Sequence, residues 1–402
     1  MGKAKGKVAA VRVPGPLAPY ADRFECDLVE RGYAAKTRAT HLQVMSHVSR
    51  WLQSHQLGVE DLSRERVEQY LDWRRGCGYQ GFCSRRGLRP LLATLGSLGL
   101  LPDEAPATRI DVLLGGFDRY LREERGLASC TTQAYLARAR RFLADCGQDG
   151  DLRELKAADV SAAVLRESRV VSVGSVQNFV GALRSLLRYC HVAGLIEADL
   201  SGAVLAIAGR RRTSLPKGVS TADARALLRS CDRRTAIGRR DYAVILSLLR
   251  LGLRAGEVAA LSLQDLDWRA GQMLVHGKGG RVDGMPLPTE VGGAIAGYLR
   301  RGRPATSRRE VFLTTRAPRT GLTREGVSYI VRRACRRAGV TPFGAHRLRH
   351  SLACEMVRAQ VPLSEIGQVL RHDAASSTAR YARVDVDQLR TVAQPWPDGV
   401  QR

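Results

Sequence analysis

The stretch Leu251-Gly252-Leu253-Arg254-Ala255-Gly256-Glu257 decides how the second half of this 402-residue chain is read. Upstream of it, Asp241 to Leu251 is apolar enough for a buried helix, and Gly252 supplies its stop, because glycine takes the left-handed conformation of a helix end without steric cost. Downstream, Ala255 to Leu261 begins another helix. Arg254 is thereby held on the tight turn between them, and Glu257, three residues on, is placed to orient its guanidinium.

Working outward, the segment from Met273 to Leu287 contains two short β runs around Gly279-Gly280, the signature of a hairpin, with Lys278 at its tip. Helical patterns resume at about Glu290 to Arg301, Arg324 to Ala338 and Arg347 to Ala359. This half is expected to be mainly α with a small β-sheet. Ala345-His346-Arg347-Leu348-Arg349-His350 places His346 and Arg349 at i, i+3, on one helix face and in reach of one small anion. His372 and Tyr381 are nine apart and would oppose each other on an unbroken helix. Asp373 to Ser377 offers a turn and an N-cap that lets the chain fold back and present both to a shared site.

Lysine usage adds a compositional clue. Beyond residue 209, Lys217 and Lys278 are the only lysines among 35 basic residues. A chain that uses arginine almost everywhere has kept an amine on a glycine hairpin, and lysine can release a proton where arginine cannot. A general acid is the economical reason.

Taken in order, Leu-Gly-Leu-Arg254-x-x-Glu257, the Gly-Lys278-Gly hairpin, His346-x-x-Arg349-His350, and Leu-x-His372 followed nine residues later by Tyr381 strongly resemble the tyrosine recombinase (phage integrase) family. The tight resemblance covers residues 218–395, roughly. It implies that Tyr381 is the nucleophile, Arg254 and Arg349 the phosphate clamp, Lys278 and His346 the proton-transfer groups and His372 a further phosphate donor, with Glu257 and His350 in support. It also implies site-specific cutting and rejoining of double-stranded DNA through a 3′-phosphotyrosyl link, without metal, cofactor or ATP, by a homotetramer on DNA that works alone or with partner recombinases. One departure is Arg371, where family members often carry glycine. Two other functions fit the same residues: a type IB topoisomerase, which shares the chemistry, and a non-catalytic DNA-binding partner in a recombinase cluster, which would use the fold alone.

These residue types suit phosphodiester chemistry. The transition state gathers negative charge on two non-bridging oxygens, and guanidinium forks match that geometry. Each preorganised donor is worth ~3–4 kcal/mol. A metal-dependent nuclease is disfavoured, because Asp265 and Asp267 lack the further carboxylates of a two-metal centre.

The charge agrees with a polyanionic partner. The chain has 64 Lys+Arg against 39 Asp+Glu, a net +25, of which +19 belongs to residues 210–402. Arginines spread in this way fit a phosphate backbone and release its counterions. Preference for Arg over Lys could reflect base composition of a genome, but the net sign could not.

The first half reads as helical modules. Glu30-Arg31-Gly32-Tyr33-Ala34-Ala35-Lys36-Thr37 is echoed 94 residues later by Glu124-Arg125-Gly126-Leu127-Ala128-Ser129-Cys130-Thr131, and an apolar helix follows each. We read a flexible basic arm (residues 1–19), a module at 20–101 that resembles an extra copy of the family's core-type DNA-binding domain, that domain itself at 110–208, a linker at 209–218, a catalytic domain at 219–394 and a tail at 395–402. Helical N-terminal DNA-binding modules thus precede a C-terminal catalytic domain. Arg210, Arg211, Arg212 and Lys217 of the linker are expected to touch DNA, and the stretch after Val384 to dock between subunits. The N-terminus lacks the apolar core of a signal peptide, no run approaches the ~20 residues of a membrane span, and nine cysteines without a CxxC pair suit a reduced, cytoplasmic, nucleoid-associated protein.

Overall fold

The computed structural model describes residues 11–102, 108–145, 152–207 and 218–372, together with Thr378 and Tyr381. The expected DNA contacts Arg210, Arg211, Arg212 and Lys217, the first ten residues of the arm and the stretch after Val384 lie outside the described residues. By internal contacts the chain divides into two compact units, one of residues 102–213 and one of residues 1–101 together with 214–402.

In the first module, α1 (Ala21–Glu30), α2 (Ala35–Ser54), α3 (Arg64–Gly76) and α4 (Arg85–Ser97) enclose a core of Phe24, Leu28, Met45, Trp51, Tyr70 and Leu95. Sequence chemistry sets the ends: the Ser63 hydroxyl accepts from the Arg66 N–H to start α3. Asp27 is buried beneath this bundle and accepts from the Thr94 hydroxyl at 2.9 Å, so its charge is not left without a partner. The turn between α1 and α2 contacts the C-terminal half of the same unit. The Arg319 N–H donates to the Arg31 carbonyl at 2.8 Å, and Gly32 is left-handed with no room for a Cβ, which would lie 2.5 Å from Arg319 Cδ.

The second module repeats this order. Helix α5 (Arg109–Arg119) runs into a π-helical turn (Tyr120–Glu124), and α6 (Ser129–Asp145), α7 (Ala157–Val170) and α8 (Val173–Val192) follow. The echoed segments both form a turn with a left-handed glycine, Gly32 or Gly126, ahead of a long helix. The two cores differ in their aromatic residues: Phe24, Trp51 and Tyr70 are buried in the first, Phe117, Phe142 and Phe179 in the second.

The C-terminal half is mainly helical with one small sheet, as the periodicity predicts. Its elements are α9 (Thr221–Arg229), α10 (Ala236–Arg250), α11 (Ala255–Ala260), β1 (Leu266–Asp267), β2 (Gln272–His276), β3 (Val282–Pro286), α12 (Thr289–Arg301), α13 (Arg324–Arg337), α14 (His346–Arg358) and α15 (Leu363–Val369). The apolar stripe of α13, Val327, Ile330, Val331, Ala334 and Cys335, is buried as the 3.6-residue period requires. The sheet is antiparallel in the order β1-β2-β3, with Met273 opposite Met285 and His276 opposite Val282. β1 is two residues long, too short for any alternation to announce it. Asp265 and Asp267 have structural roles here: Asp265 accepts from the Ser262 N–H at 2.8 Å and lies 2.9 Å from His276 Nε2, while Asp267 accepts from the Arg269 and Ala270 N–H groups. Among the described residues no helix is long and apolar enough to cross a membrane.

Two apolar clusters underlie the site. A large one runs from Val219 to Leu348 through α9–α14 and the sheet. A small one comprises Ala353, Cys354, Val357, Ile366, Leu370 and Tyr381.

Candidate active site

The end of α10 builds the first wall. Gly252 is left-handed (φ +56°), and a Cβ there would lie 2.8 Å from Leu370 Cδ2 and 2.9 Å from Leu352 Cδ2. Only glycine lets the chain turn this closely over the α14–α15 pair. Arg254 then caps α11. Its N–H donates to Glu257 Oε2 at 2.8 Å, its Nη1 donates to Glu257 Oε1 at 2.7 Å, and its Nη2 donates to the Arg371 carbonyl at 2.9 Å. About a third of the Arg254 side chain stays exposed (35%), whereas that of Glu257 is buried (4%). The i, i+3 spacing in the sequence thus does what it promises, with one carboxylate holding the arginine by backbone and side chain together.

Glu257 carries a second ion pair. Arg371 Nη2 donates to Glu257 Oε2 at 2.8 Å, and the Arg371 side chain is only 5% exposed. Burial pushes the Glu257 carboxyl up, but the Arg254 N–H and the charges of Arg371 and Arg254 outweigh it and hold the group below its ordinary range. Glu257 is therefore an anion set between two cations.

Arg349 lies deeper, on the first turns of α14. Its side chain is among the largest fully buried ones, and its two terminal nitrogens donate to the carbonyls of Gly252, at 2.6 Å, and Leu370. Burial, followed by repulsion from Arg254, lowers its pKa to about 10, which still leaves it cationic at neutral pH. Arg254, Glu257, Arg371 and Tyr381 all act on that charge, so these five side chains share one electrostatic neighbourhood. His346 and Arg349 do share a face of α14, but Arg349 is anchored by backbone acceptors, beyond what spacing alone conveys.

A second wall consists of rings. His346 and His350, one helical turn apart on α14, pack edge to face with centroids 4.2 Å apart. His350 Nδ1 lies 2.6 Å from the Tyr381 hydroxyl. His372 stacks on Tyr381, parallel within 4° at 6.2 Å, and its Nδ1 lies 2.7 Å from Thr378 Oγ1. Tyr381 itself is 1% exposed, and its N–H donates to the Thr378 carbonyl at 2.9 Å. The nine-residue separation of His372 and Tyr381 is thus closed into a single site.

The structure brings Arg254, Glu257, Arg349, His346, His350, His372 and Tyr381 into this region. Lys278 opens the turn between β2 and β3, a 3-10 turn over Lys278–Gly280 closed by the Gly277 N–H donating to the Arg281 carbonyl at 2.7 Å, with Gly279 and Gly280 left-handed. One group escaped sequence reasoning, and another does more than the supporting part expected of it. Thr378, just past the turn expected at Asp373 to Ser377, lies 2.7 Å from His372 Nδ1, and nothing in the sequence singled it out. His350, given a supporting place, is the imidazole that meets the Tyr381 hydroxyl, which a pitch of i, i+4 from His346 allows but does not dictate.

Comparison with known proteins bears on the family. The phage integrase family model matches residues 218–388. A Sinorhizobium fredii relative bearing an integrase/recombinase name, y4rA, is 39% identical over 96% of this chain and 96% of its own length. Tyrosine recombinase XerD of Mycobacterium tuberculosis is 30% identical, covering 69% of this chain and 95% of XerD. In fold, the chain is similar to the XerH site-specific recombinase bound to its difH substrate, with a TM-score of 0.53 at 17% identity over 72% of this chain and 97% of that one. With an integrase/recombinase relative matching along nearly its whole length, and with the arginine, histidine and tyrosine motifs folded into one region, the chain belongs to the phage integrase family of tyrosine recombinases.

Proposed function

We propose that Tyr381 cuts one strand of duplex DNA by attacking the scissile phosphorus, and that a homotetramer on DNA performs the strand exchange. The Tyr381 oxygen forms the new P–O bond, the bond to the 5′ oxygen breaks, and the 3′ phosphate remains esterified to the enzyme. A phenol of pKa about 10 is mostly protonated at neutral pH and needs an acceptor for its proton. His350 is the acceptor, with Nδ1 2.6 Å from the hydroxyl, and His346 packs behind it. Lys278 delivers a proton to the departing 5′ oxygen. Arg254 and Arg349 stabilise the charge that gathers on the non-bridging oxygens, and His372 adds a further donor. The ester bond retains the energy of the original linkage, so a 5′ hydroxyl from another strand reseals it without ATP, and the scheme requires no metal or cofactor.

The observation that carries this reading is the close approach of Tyr381 to His350 in the neighbourhood of two fixed guanidiniums. The +19 charge of residues 210–402 supports duplex DNA as the partner. We assign residues 219–394 as the catalytic domain, 110–208 as the core-type DNA-binding domain and 20–101 as a second module of that type, since α1–α4 repeat the order of α5–α8. The linker arginines and Lys217 follow the DNA backbone in this scheme.

A suicide substrate carrying a nick near the cleavage point, which traps the covalent adduct, tests the assignment. Tyr381→Phe abolishes the adduct and leaves DNA affinity within about twofold, because it removes one hydroxyl and no charge. Adducts that persist in the variant overturn the nucleophile assignment. Absence of adducts from the wild-type chain on every substrate favours a non-catalytic DNA-binding role, and relaxation of a supercoiled plasmid lacking any recombination site favours the topoisomerase reading.

A further inference from the structure

Arg371 stands where the family pattern usually has glycine, and its backbone explains the preference: φ is +53°, a conformation that costs a residue with a side chain about 1–3 kcal/mol. A chain that accepts this strain gains something from the side chain. That side chain is 5% exposed. Its Nη2 donates to Glu257 Oε2, the oxygen that also receives the Arg254 N–H, while Glu257 Oε1 receives Arg254 Nη1. Its Nη1 is turned toward Met285 Sδ on β3, the strand that leaves the Lys278 turn. Its carbonyl accepts from Arg254 Nη2.

We propose that the Arg371 side chain is a positioning residue for Arg254: by holding Glu257 Oε2, the oxygen that also receives the Arg254 N–H, it fixes the Arg254 guanidinium in the geometry that receives the scissile phosphate. The proposal rests on the reading of Arg254 as part of the phosphate clamp. Three cations face Glu257: Arg254 from the start of α11, Arg371 from the turn after α15 and Arg349 from α14. With the Arg371 charge gone, two remain, the carboxylate is freer to rotate, and it takes up a proton at higher pH. Arg254 then loses its orienting partner in mildly acidic solution, where the wild-type chain still holds it.

The test is single-turnover cleavage of a suicide substrate by the full chain, followed across pH, for Arg371→Gly, Arg371→Lys, Glu257→Gln and the double variant Glu257→Gln/Arg371→Gly. Glycine suits the left-handed backbone and keeps the carbonyl that accepts from Arg254, so Arg371→Gly removes the side chain alone. The cleavage rate of Arg371→Gly falls on the order of tenfold, the effect of losing one charge-assisted hydrogen bond, with DNA affinity unchanged and the acid limb of the profile moved to higher pH. Arg371→Lys recovers much of the rate and the wild-type limb. The double variant cleaves as slowly as Glu257→Gln and no slower, because Arg371 acts through that carboxylate.

A wild-type rate and acid limb in Arg371→Gly overturn the proposal, as does a loss confined to DNA affinity or a double variant whose losses multiply. If Arg371→Gly fails to fold, the Arg371→Lys profile against that of Glu257→Gln decides alone: an unshifted limb with an unchanged rate in both overturns it. Tyr381→Phe, run alongside, keeps the outcomes apart, since adducts surviving in that variant refute the underlying mechanism whatever Arg371 does.

Discussion

The two walls of the site are held in different ways. Arg254, Glu257, Arg349 and Arg371 are locked by ion pairs and by the carbonyls of Gly252, Leu370 and Arg371, with the large apolar cluster of α9–α14 behind α11 and the start of α14. Tyr381 instead belongs to the small cluster with Ala353, Cys354, Val357, Ile366 and Leu370, and its orientation depends on the His350 and His372 rings. On the proposed mechanism, the contrast follows from what the reaction asks of each wall. Charge stabilisation gains most from donors that need no reorganisation, so those side chains are frozen against backbone. A nucleophile must approach phosphorus and later leave it, and a smaller core leaves less apolar contact to hold it in place.

The largest effect comes from breaking the frozen wall at its deepest point. Arg349→Ala removes the donor proposed for the developing charge and strands the Gly252 and Leu370 carbonyls. Cleavage of a suicide substrate falls ~10²–10³-fold, and stability drops by roughly 1–3 kcal/mol for each unsatisfied acceptor. Arg349→Lys keeps the charge but not the fork that spans the Gly252 and Leu370 carbonyls, so it falls between the two in both cleavage rate and melting temperature. A lysine variant matching wild type in both measurements would show that charge alone, without fixed geometry, accounts for this wall.

Much of this wall was legible in the sequence, and the reason is its locality. Arg254 and Glu257 lie within one helical turn, Gly252 marks the helix end that places them, and His346 and Arg349 share a face by period alone. The hairpin likewise follows from Gly279 and Gly280 between β runs. The Arg371–Glu257 pair was not legible, because it joins residues 114 apart and depends on a left-handed backbone that no period predicts. The direct contact of His350 with Tyr381 was hidden similarly, since only the return of the chain after α15 decides which of two histidines meets the phenol. β1 escaped because two residues carry no pattern, and the pairing of residues 1–101 with 214–402 in one unit is a tertiary fact that linear order conceals.

A matched pair of core substitutions sharpens the contrast. Ile245, on α10, and Ile366, on α15, are each fully buried, one in the large cluster and the other in the small one. Ile→Val removes one methylene from each, worth ~0.5–1.5 kcal/mol. Ile245→Val lowers the cooperative melting of the C-terminal half as a whole. Ile366→Val appears chiefly as faster amide hydrogen exchange over residues 352–372, with α10 unchanged. Equal exchange responses in α10 and α15 for both variants would mean that the two clusters open together and that the Tyr381 wall has no separate stability.

The smallest effect is a pH dependence of stability that belongs to the frozen wall alone. Glu257 has its carboxyl held below the ordinary 4.5 in the folded chain, with burial opposing and the Arg254 N–H and the Arg371 and Arg254 charges prevailing. A depressed folded-state pKa means that the unfolded chain binds the proton first, so stability rises with pH through this range. The contribution is complete above about 4.5, declines as pH falls below that value, and is lost once the folded carboxylate itself protonates. Chemical denaturation of the wild-type chain and of Glu257→Gln, repeated from neutral pH down into the acid range, measures it as the gap between the two curves. The gap is constant near neutrality and narrows on acidification, because glutamine carries no proton to lose. A gap that stays constant into strong acid would show that the carboxylate gains nothing from its two arginines, and the distinction between a charge-locked wall and an apolar one would then rest on the backbone hydrogen bonds of Arg349.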